Sequence, residues 1–504
     1  MQRLDTIASL KYFVPEIVLV FTLMAVLLLD LVALNRSRWE RRLVIVAPSL
    51  IGLLVALFYS LQLASSPPAA LFNGMVAQDG FGNLLRVVFI VTAIFVLLFT
   101  LHSRELVSAH HGELLVLLLT VTVAMMWMSN SINLLMIYLA LETVSIASYI
   151  MVGYLKSDQL SNEASLKYIL FGAVSTGTML FGMSLLFGLT GTLDLYGIRT
   201  ALANQEAVAE AGPALMIIII MVLAGIGFKM ATVPFHFWCP DVYTGAPTPV
   251  TAFLSVGPKV AGFAVLVRFF YAGMARPEGD AVFRMVGAVN WQAILIGISV
   301  LSMTVGNVAA LLQTNLKRLL AYSSIAHAGY IMMGAVVLSG EGIQAMLAYV
   351  LIYLFMNLGA FLVVIVIHNG VGSFDLKDYA GIWRRSPLVT ILMGVFLFSL
   401  MGIPPFAGFL AKWYVFAAVI NADLGWFAVV GVFNSAIGAF YYLKILKTMF
   451  IEGDDTPEPS SRLELHPIHA GLLLLLAVPN ITGLVLWGYL DRITEYSQKL
   501  LEVL

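Results

Sequence analysis

Eight ionisable side chains stand inside long hydrophobic runs: Arg86, Glu142, Lys167, Lys229, Lys259, Arg268, Lys412 and Lys444. Each costs about 2.5–3.5 kcal/mol at the centre of a membrane-crossing helix on insertion scales. Such residues persist where they handle charge. A buried amine or carboxylate can hold or release a proton, and groups on neighbouring helices can exchange protons through trapped water. The eight do not carry this implication equally. Arg86 and Arg268 lie near the external ends of their runs, where long side chains can snorkel to the headgroups. Lys444 lies near the cytoplasmic end of its run, and snorkelling and function account for it equally well. Lys167 follows Glu163 by four residues, so a plain i,i+4 ion pair also explains it. Glu142, Lys229, Lys259 and Lys412 have no such local explanation.

Their surroundings strengthen the reading. Tyr138, Ser145 and Tyr149 lie at i−4, i+3 and i+7 from Glu142, which puts a line of polar groups on one helix face. In "LKRLLAYSSIAHAGYIMMGAVV", His327 has Ser323 and Ser324 one turn before it and Tyr330 one turn after. Tyr349, Tyr353 and Asn357 repeat at i, i+4 and i+8. A polar stripe on an apolar helix faces protein or trapped water rather than lipid. A lone histidine is as often a packed core residue; its hydroxyl neighbours make His327 a candidate.

The elements that must position these groups are membrane helices. Apolar residues make up 61% of the 504 and charged residues 11%, against about a quarter charged in a soluble domain. The formal net charge of −1 offers no basic surface to neutralise phosphates, which argues against nucleic acid as a partner. One cysteine, Cys239, rules out a disulfide framework and any Cys-ligated zinc or iron–sulfur site. The eight histidines lack metal-ligand spacing, and no Gly-rich phosphate loop opens a helix. The N-terminal stretch lacks the basic region and cleavage site of a signal peptide, and its first hydrophobic span is long enough to cross and stay.

Runs of about twenty apolar residues predict an all-α polytopic membrane protein of about 14 transmembrane helices. They lie at 13–34, 43–63, 81–101, 113–129, 132–154, 162–190, 213–236, 248–273, 284–312, 318–338, 342–368, 388–418, 426–450 and 467–490. "EGDDTPEPSS" (Glu452–Ser461) reads as a solvated connector. The first loop, NRSRWERR, holds four arginines and the second none, which places the first loop in the cytoplasm and both termini outside.

"GIGFKMATVPFHFW" in the seventh span has an echo, "GIPPFAGFLAKW", in the twelfth. Proline removes an N–H and clashes with the preceding turn, so both spans should break there, with Lys229 and Lys412 pointing inward. Breaks five spans apart suggest two five-helix repeats, spans four to eight and nine to thirteen. An odd number of spans per unit makes the second insert upside down, an arrangement that sets broken helices around ion sites. The chain then divides into three N-terminal helices (1–112), a first repeat (113–273), a second (284–450) and a connector with the last helix (451–504). The echo is imperfect, since Lys229 precedes its proline and Lys412 follows Pro405.

"FKMATVPFHFWCPDVYTGAPTPVTAFLSVGPKVAGFAVL", "EASLKYILFGAVSTG", "TNLKRLLAYSSIAHAGYIMMG" and "GIPPFAGFLAKWYVF" resemble the antiporter-like membrane subunits of NADH–quinone oxidoreductase, respiratory complex I. The likeness runs from about residue 10 to 490 and fits the subunit N pattern best. Subunits L and M usually have a PLHTWLPDAH-type segment where this chain has PFHFWCPDVY, and M a glutamate where Lys412 stands. The resemblance implies a fourteen-helix proton pump subunit with a path through Glu142, Lys167, Lys229, Lys259, His327 and Lys412. The "LALETVS" around Glu142 departs from the commoner LEL(M/L)S. The resemblance also implies that NADH, FMN, iron–sulfur clusters and quinone belong to partner subunits. It implies subunit M and small subunits such as K as neighbours, within the lipid bilayer of a bacterial inner membrane. Two rivals stay open: a subunit of a related Mrp-type cation/proton antiporter with no redox partner, and a structural spacer.

Overall fold

Long apolar runs bounded by Asn, Asp, Ser and Gly fold into helices whose ends those residues cap. Asn133, Asp158, Asn315 and Ser339 each accept a backbone N–H at a helix start. Gly191 and Gly372 close two helices in the left-handed conformation, at φ 70° and 78°. The computed structural model describes residues 4–33, 38–106, 111–203, 212–278, 282–452, 463, 465–483 and 485–502.

In chain order the principal helices are α1 (Val14–Val32), α2 (Arg38–Leu63), α3 (Gly80–Thr100), α4 (His111–Asn130), α5 (Leu134–Val152) and α6 (Gln159–Thr190). There follow α7 (Gly212–Met230), α8 (Trp238–Gly245), α9 (Thr248–Val267), α10 (Trp291–Leu311), α11 (Leu316–Ala335) and α12 (Gly340–Val371). The last are α13 (Pro387–Met401), α14 (Ala407–Asn421), α15 (Gly425–Phe450), α16 (Pro467–Thr482) and α17 (Trp487–Glu502). Among the described residues, 11 helices are long and apolar enough to cross a membrane, or 12 if the bent pair α16/α17 counts as one span. The chain is a multi-pass membrane protein. Its centre is α9, buried along its whole length, with α12 beside it, almost as deeply enclosed.

Two expected boundaries and the purely helical expectation are corrected. The ninth span begins at Trp291 rather than 284, because 283–285 is a strand of a short antiparallel hairpin with Ala275–Pro277. A second hairpin pairs Ala69–Leu71 with Val76–Gln78, so the helical bundle carries two small β elements among the described residues. The last span is not continuous to 490: α17 turns away from α16 by 86°. Apart from Glu452, the "EGDDTPEPSS" connector lies outside the described residues.

The two expected breaks, in the seventh and twelfth spans, are present. α7 stops at Met230, Ala231 takes φ 57°, and helix resumes at Trp238 as α8. α13 stops at Met401, Gly402 takes φ 82°, and helix resumes at Ala407 as α14. Pro234 and the Pro404–Pro405 pair lie in the two gaps. Backbone groups freed at membrane depth need partners, and the protein supplies them. Trp238 Nε1 donates to the Phe228 carbonyl at 3.0 Å, and Val233 N–H donates to Ser302 Oγ at 2.9 Å. At the second break, Lys412 Nζ donates to the Met401 carbonyl at 2.7 Å, and Gly408 N–H donates to Ser399 Oγ at 3.1 Å.

Candidate functional site

Lys229 occupies the last turn of α7, directly before the break, and is 1% exposed. Its Nζ donates to Ser145 Oγ on α5 at 2.8 Å. Glu142 lies one turn before Ser145, so the amine and the carboxylate meet adjacent turns of the same helix. Glu142 is partly exposed on the rim of α5 rather than fully buried. Lys259, in the middle of the buried α9, donates from Nζ to Ser324 Oγ on α11 at 2.6 Å, and the amine stands 5.5 Å from the centre of the Tyr243 ring.

The residue before Ser324 begins a second set of polar groups. This residue, Ser323, is hydrogen-bonded to the Tyr442 hydroxyl, and Tyr442 in turn meets His327 Nε2 at 3.1 Å. His327 Nδ1 contacts the Tyr349 hydroxyl at 2.8 Å. On the far side Lys412 donates to Ser435 Oγ at 2.7 Å, and its amine lies 4.8 Å from the centre of the Tyr330 ring. The Tyr330 hydroxyl accepts from Asn307 Nδ2 at 3.1 Å, and Tyr441 donates to Asn307 Oδ1 at 3.0 Å. Lys229 and Lys412 both point into the protein, as expected. The hydroxyl of Tyr168 is buried with no hydrogen-bond partner among the described residues. Groups of this kind are ordinarily served by ordered water.

Lys167 stands apart from this row. Its side chain is 38% exposed and holds two ion pairs, with Glu163 and with Asp241, each at 2.7 Å. Asp241, on α8, is shared with Arg318 at the start of α11. Partial burial pushes the Asp241 carboxyl up, but hydrogen bonds from Lys167 and Arg318 outweigh it and hold the group below the usual carboxylate range. The structure therefore does not join Lys167 to Glu142 and Lys229 in one contact.

The snorkelling reading of two arginines is overturned. Arg86 and Arg268 are fully buried, because carboxylates from distant segments meet them. Arg86 Nε pairs with Glu16 on α1 at 2.7 Å. Arg268 grips Asp79 with two nitrogens, at 2.5 and 2.7 Å, and its Nε donates to the Ser129 carbonyl at 2.9 Å. Lys444 is exposed on α15, one turn short of Lys447.

Residues that the sequence reading missed are Tyr442, Ser435, Ser302 and Asp241. The tyrosine pair in "GAFYYLKILK" was the only visible signal for the first; hydroxyls in apolar helices give none. Among the described residues no group of three or more His, Cys, Asp or Glu could hold a metal ion.

Residues 131–438 match the family model described as NADH:quinone oxidoreductase/Mrp antiporter, transmembrane. NADH-quinone oxidoreductase subunit N of Anaeromyxobacter sp. (strain Fw109-5) is 40% identical, over 98% of this chain and 98% of its own length. Subunit N 2 of Sorangium cellulosum (strain So ce56) is 42% identical, over 97% of each. A chain of respiratory complex I from Thermus thermophilus with bound aureothin superposes with TM-score 0.77 at 30% identity, covering 95% of this chain and 98% of that one. A chain of the Mrp complex from Dietzia sp. DQ12-45-1b shares the fold, with TM-score 0.79 at 19% identity over 97% and 98%.

Proposed function

The chain belongs to the NADH:quinone oxidoreductase/Mrp antiporter membrane family, in its subunit N group, and we propose that it translocates protons for an NADH–quinone oxidoreductase. The observation that carries this reading is the row of buried cations, each set on a hydroxyl. Lys229 sits on Ser145, Lys259 on Ser324 and Lys412 on Ser435, with His327 between two tyrosines. Hydroxyls relay protons and stabilise an ammonium without fixing it, as a carboxylate in direct contact would. A buried ammonium persists while a counter-charge is near and gives up its proton when that charge is engaged elsewhere. Glu142, one turn from the Lys229 partner, is that counter-charge. Protons entering at Glu142 and Lys229 would pass by water and hydroxyls to Lys259, His327 and Lys412, with Lys167 adjusting Glu142. Electron transfer itself, with its NADH, FMN, iron–sulfur and quinone chemistry, belongs to partner subunits. The proposed neighbours are subunit M and small membrane subunits such as K.

The finer architecture goes with this reading. Adding α11 and the pairs α13/α14 and α16/α17 to the eleven long helices gives fourteen spans, with both termini on the periplasmic face of a bacterial inner membrane. Inverted repeats of spans four to eight and nine to thirteen are supported by a shared construction. α6 and α12 are both 32 residues long and both end on a left-handed glycine. Three residues on, Asp194 bridges to Asn133 and Asp375 bridges to Asn315, the N-caps of α5 and α11. Five spans separate the two copies of the motif, so they fall on opposite faces of the membrane. The boundaries 1–112, 113–273, 284–450 and 451–504 follow.

The test is Lys229→Ala in the assembled complex, reconstituted in vesicles. Protons moved per electron should collapse and NADH oxidation should slow with them, because the two are coupled. An undiminished proton-to-electron ratio would remove Lys229 from the path.

A further inference from the structure

The short helix α8 joins three parts of the molecule that the proton path uses separately. At its first residue Trp238 donates to the carbonyl of Phe228, the residue before Lys229, which also accepts the Ala231 N–H at the break. The same indole stacks on Tyr168, ring centres 4.4 Å apart, on the α6 residue following Lys167. One turn later Asp241 takes Lys167 itself, at 2.7 Å, while Arg318 of α11 anchors the other carboxylate oxygen. The break, α6 and α11 thus meet on one eight-residue element.

We propose that Asp241 is a positioning residue that withholds Lys167 from Glu142, so that a shift of α8 decides which carboxylate the Lys167 ammonium neutralises. This rests on the proton path proposed above. With Lys167 on Asp241, Glu142 is free to act as counter-charge to the Lys229 ammonium one turn away. When α8 withdraws, Lys167 loses Asp241 and swings to Glu142 on the neighbouring α5, against which α6 is held by Ser165 Oγ donating to the Tyr149 carbonyl at 3.0 Å. Glu142 is then neutralised, and Lys229 loses its support and passes its proton onward. Arg318 keeps Asp241 ionised and in place when Lys167 leaves, so the latch can re-form. Glu163, 58% exposed, is a second local partner that holds Lys167 near the cytoplasmic side without being tied to α8.

The test compares proton-to-electron ratios of whole complexes in vesicles carrying Lys167→Ala, Asp241→Asn or both, with Lys229→Ala as reference. The ratio in Asp241→Asn should fall to the Lys167→Ala value, and the double variant should fall no further, because Asp241 acts only through Lys167. Asp241→Glu should restore most of it. Additive losses in the double variant, or rescue failing with Glu while assembly is intact, would make Asp241 a mere pin between α8 and α11 and overturn the proposal. A wild-type ratio in Asp241→Asn alongside a collapsed one in Lys229→Ala would overturn the latch and leave the path standing; a wild-type ratio in Lys229→Ala would instead strike the path itself. Should Asp241→Asn fail to assemble, Glu163→Gln tests the same point on an exposed residue. Removing the competing partner outside α8 leaves Lys167 to Asp241 and Glu142 alone and should lower the ratio by less than half the Lys167→Ala effect. No change there, in an assembled complex, would also overturn the latch.

Discussion

A carboxylate and an amide have nearly the same shape and differ in charge, which makes Glu142 the sharpest residue to change. Glu142→Gln keeps hydrogen bonding one turn from Ser145 but removes the counter-charge to Lys229. Its proton-to-electron ratio should drop to that of Lys229→Ala, while Glu142→Asp keeps a fraction; a wild-type ratio with Gln would make the glutamate a packing group. Tyr442→Phe probes the next link. The ring stays, but the hydroxyl that joins Ser323 to His327 is lost, leaving two buried polar groups one partner short. Proton transfer through this subunit should slow by about tenfold, the equivalent of roughly 1.4 kcal/mol in barrier. The measure is vesicle acidification at saturating NADH, and an unchanged rate would take Tyr442 out of the line. At this scale the sequence was informative about charges and poor about their partners. Lys229, Lys259 and Lys412 stood out because a cation in an apolar run has to be accounted for. Ser435 did not, because a serine hydroxyl in a helix can satisfy itself on the preceding turn and needs no further explanation; Tyr442 did not, because a tyrosine in an apolar run reads as a packed ring whose hydroxyl finds its partner only in the fold.

The two broken helices were legible for a related reason: proline disfavours helix continuation, although it does not dictate a break alone, since Pro48, Pro258 and Pro479 stand inside the continuous α2, α9 and α16. The breaks fall where Pro234 and Pro404–Pro405 stand. The hairpin at 275–285 was not legible, since three-residue strands have no periodicity to detect and the apolar run continues through Met285. The bend after Thr482 was hidden in the same way, because "GLVLWGYL" carries the apolar character across the turn. What holds the second break together can be tested at Gly408, which opens α14. A Cβ there would lie 1.8 Å from the Ser399 carbonyl oxygen, so α13 and α14 would have to part. Gly408→Ala should therefore destabilise the subunit by about 1–3 kcal/mol, the range for overpacking a tight contact. It should also disturb the Lys412 bond to the Met401 carbonyl. The complex should melt several degrees lower in detergent, with a lower proton-to-electron ratio in what survives. An unchanged melting point would mean that the break has room to adjust.

Over the whole molecule, the three N-terminal helices must be fastened to one another and to the rest of the bundle without a hydrophobic drive, since lipid serves apolar side chains as well as protein does. Two buried ion pairs do this work. Glu16–Arg86 closes α1 on α3, across 70 residues, and Asp79–Arg268 ties the start of α3 to the end of α9, across 189. Neither partner could be named from sequence, because nothing local relates residues so far apart, and each arginine alone reads as a snorkelling side chain. Removing one member of a buried pair leaves an uncompensated charge and costs about 3–5 kcal/mol, whereas removing both costs much less. Arg268→Gln should accordingly lower the yield and melting temperature of the complex, and adding Asp79→Asn should recover a good part of both. The proton-to-electron ratio of the complexes that do assemble should stay at the wild-type value, because the pair fastens helices and touches none of Lys229, Lys259, His327 or Lys412. Measured together, the two quantities separate a fastening from a conductor. Normal stability with a reduced ratio in Arg268→Gln would place Asp79 and Arg268 at the outer end of the proton path, some 13 Å along α9 from Lys259 at about 1.5 Å per residue.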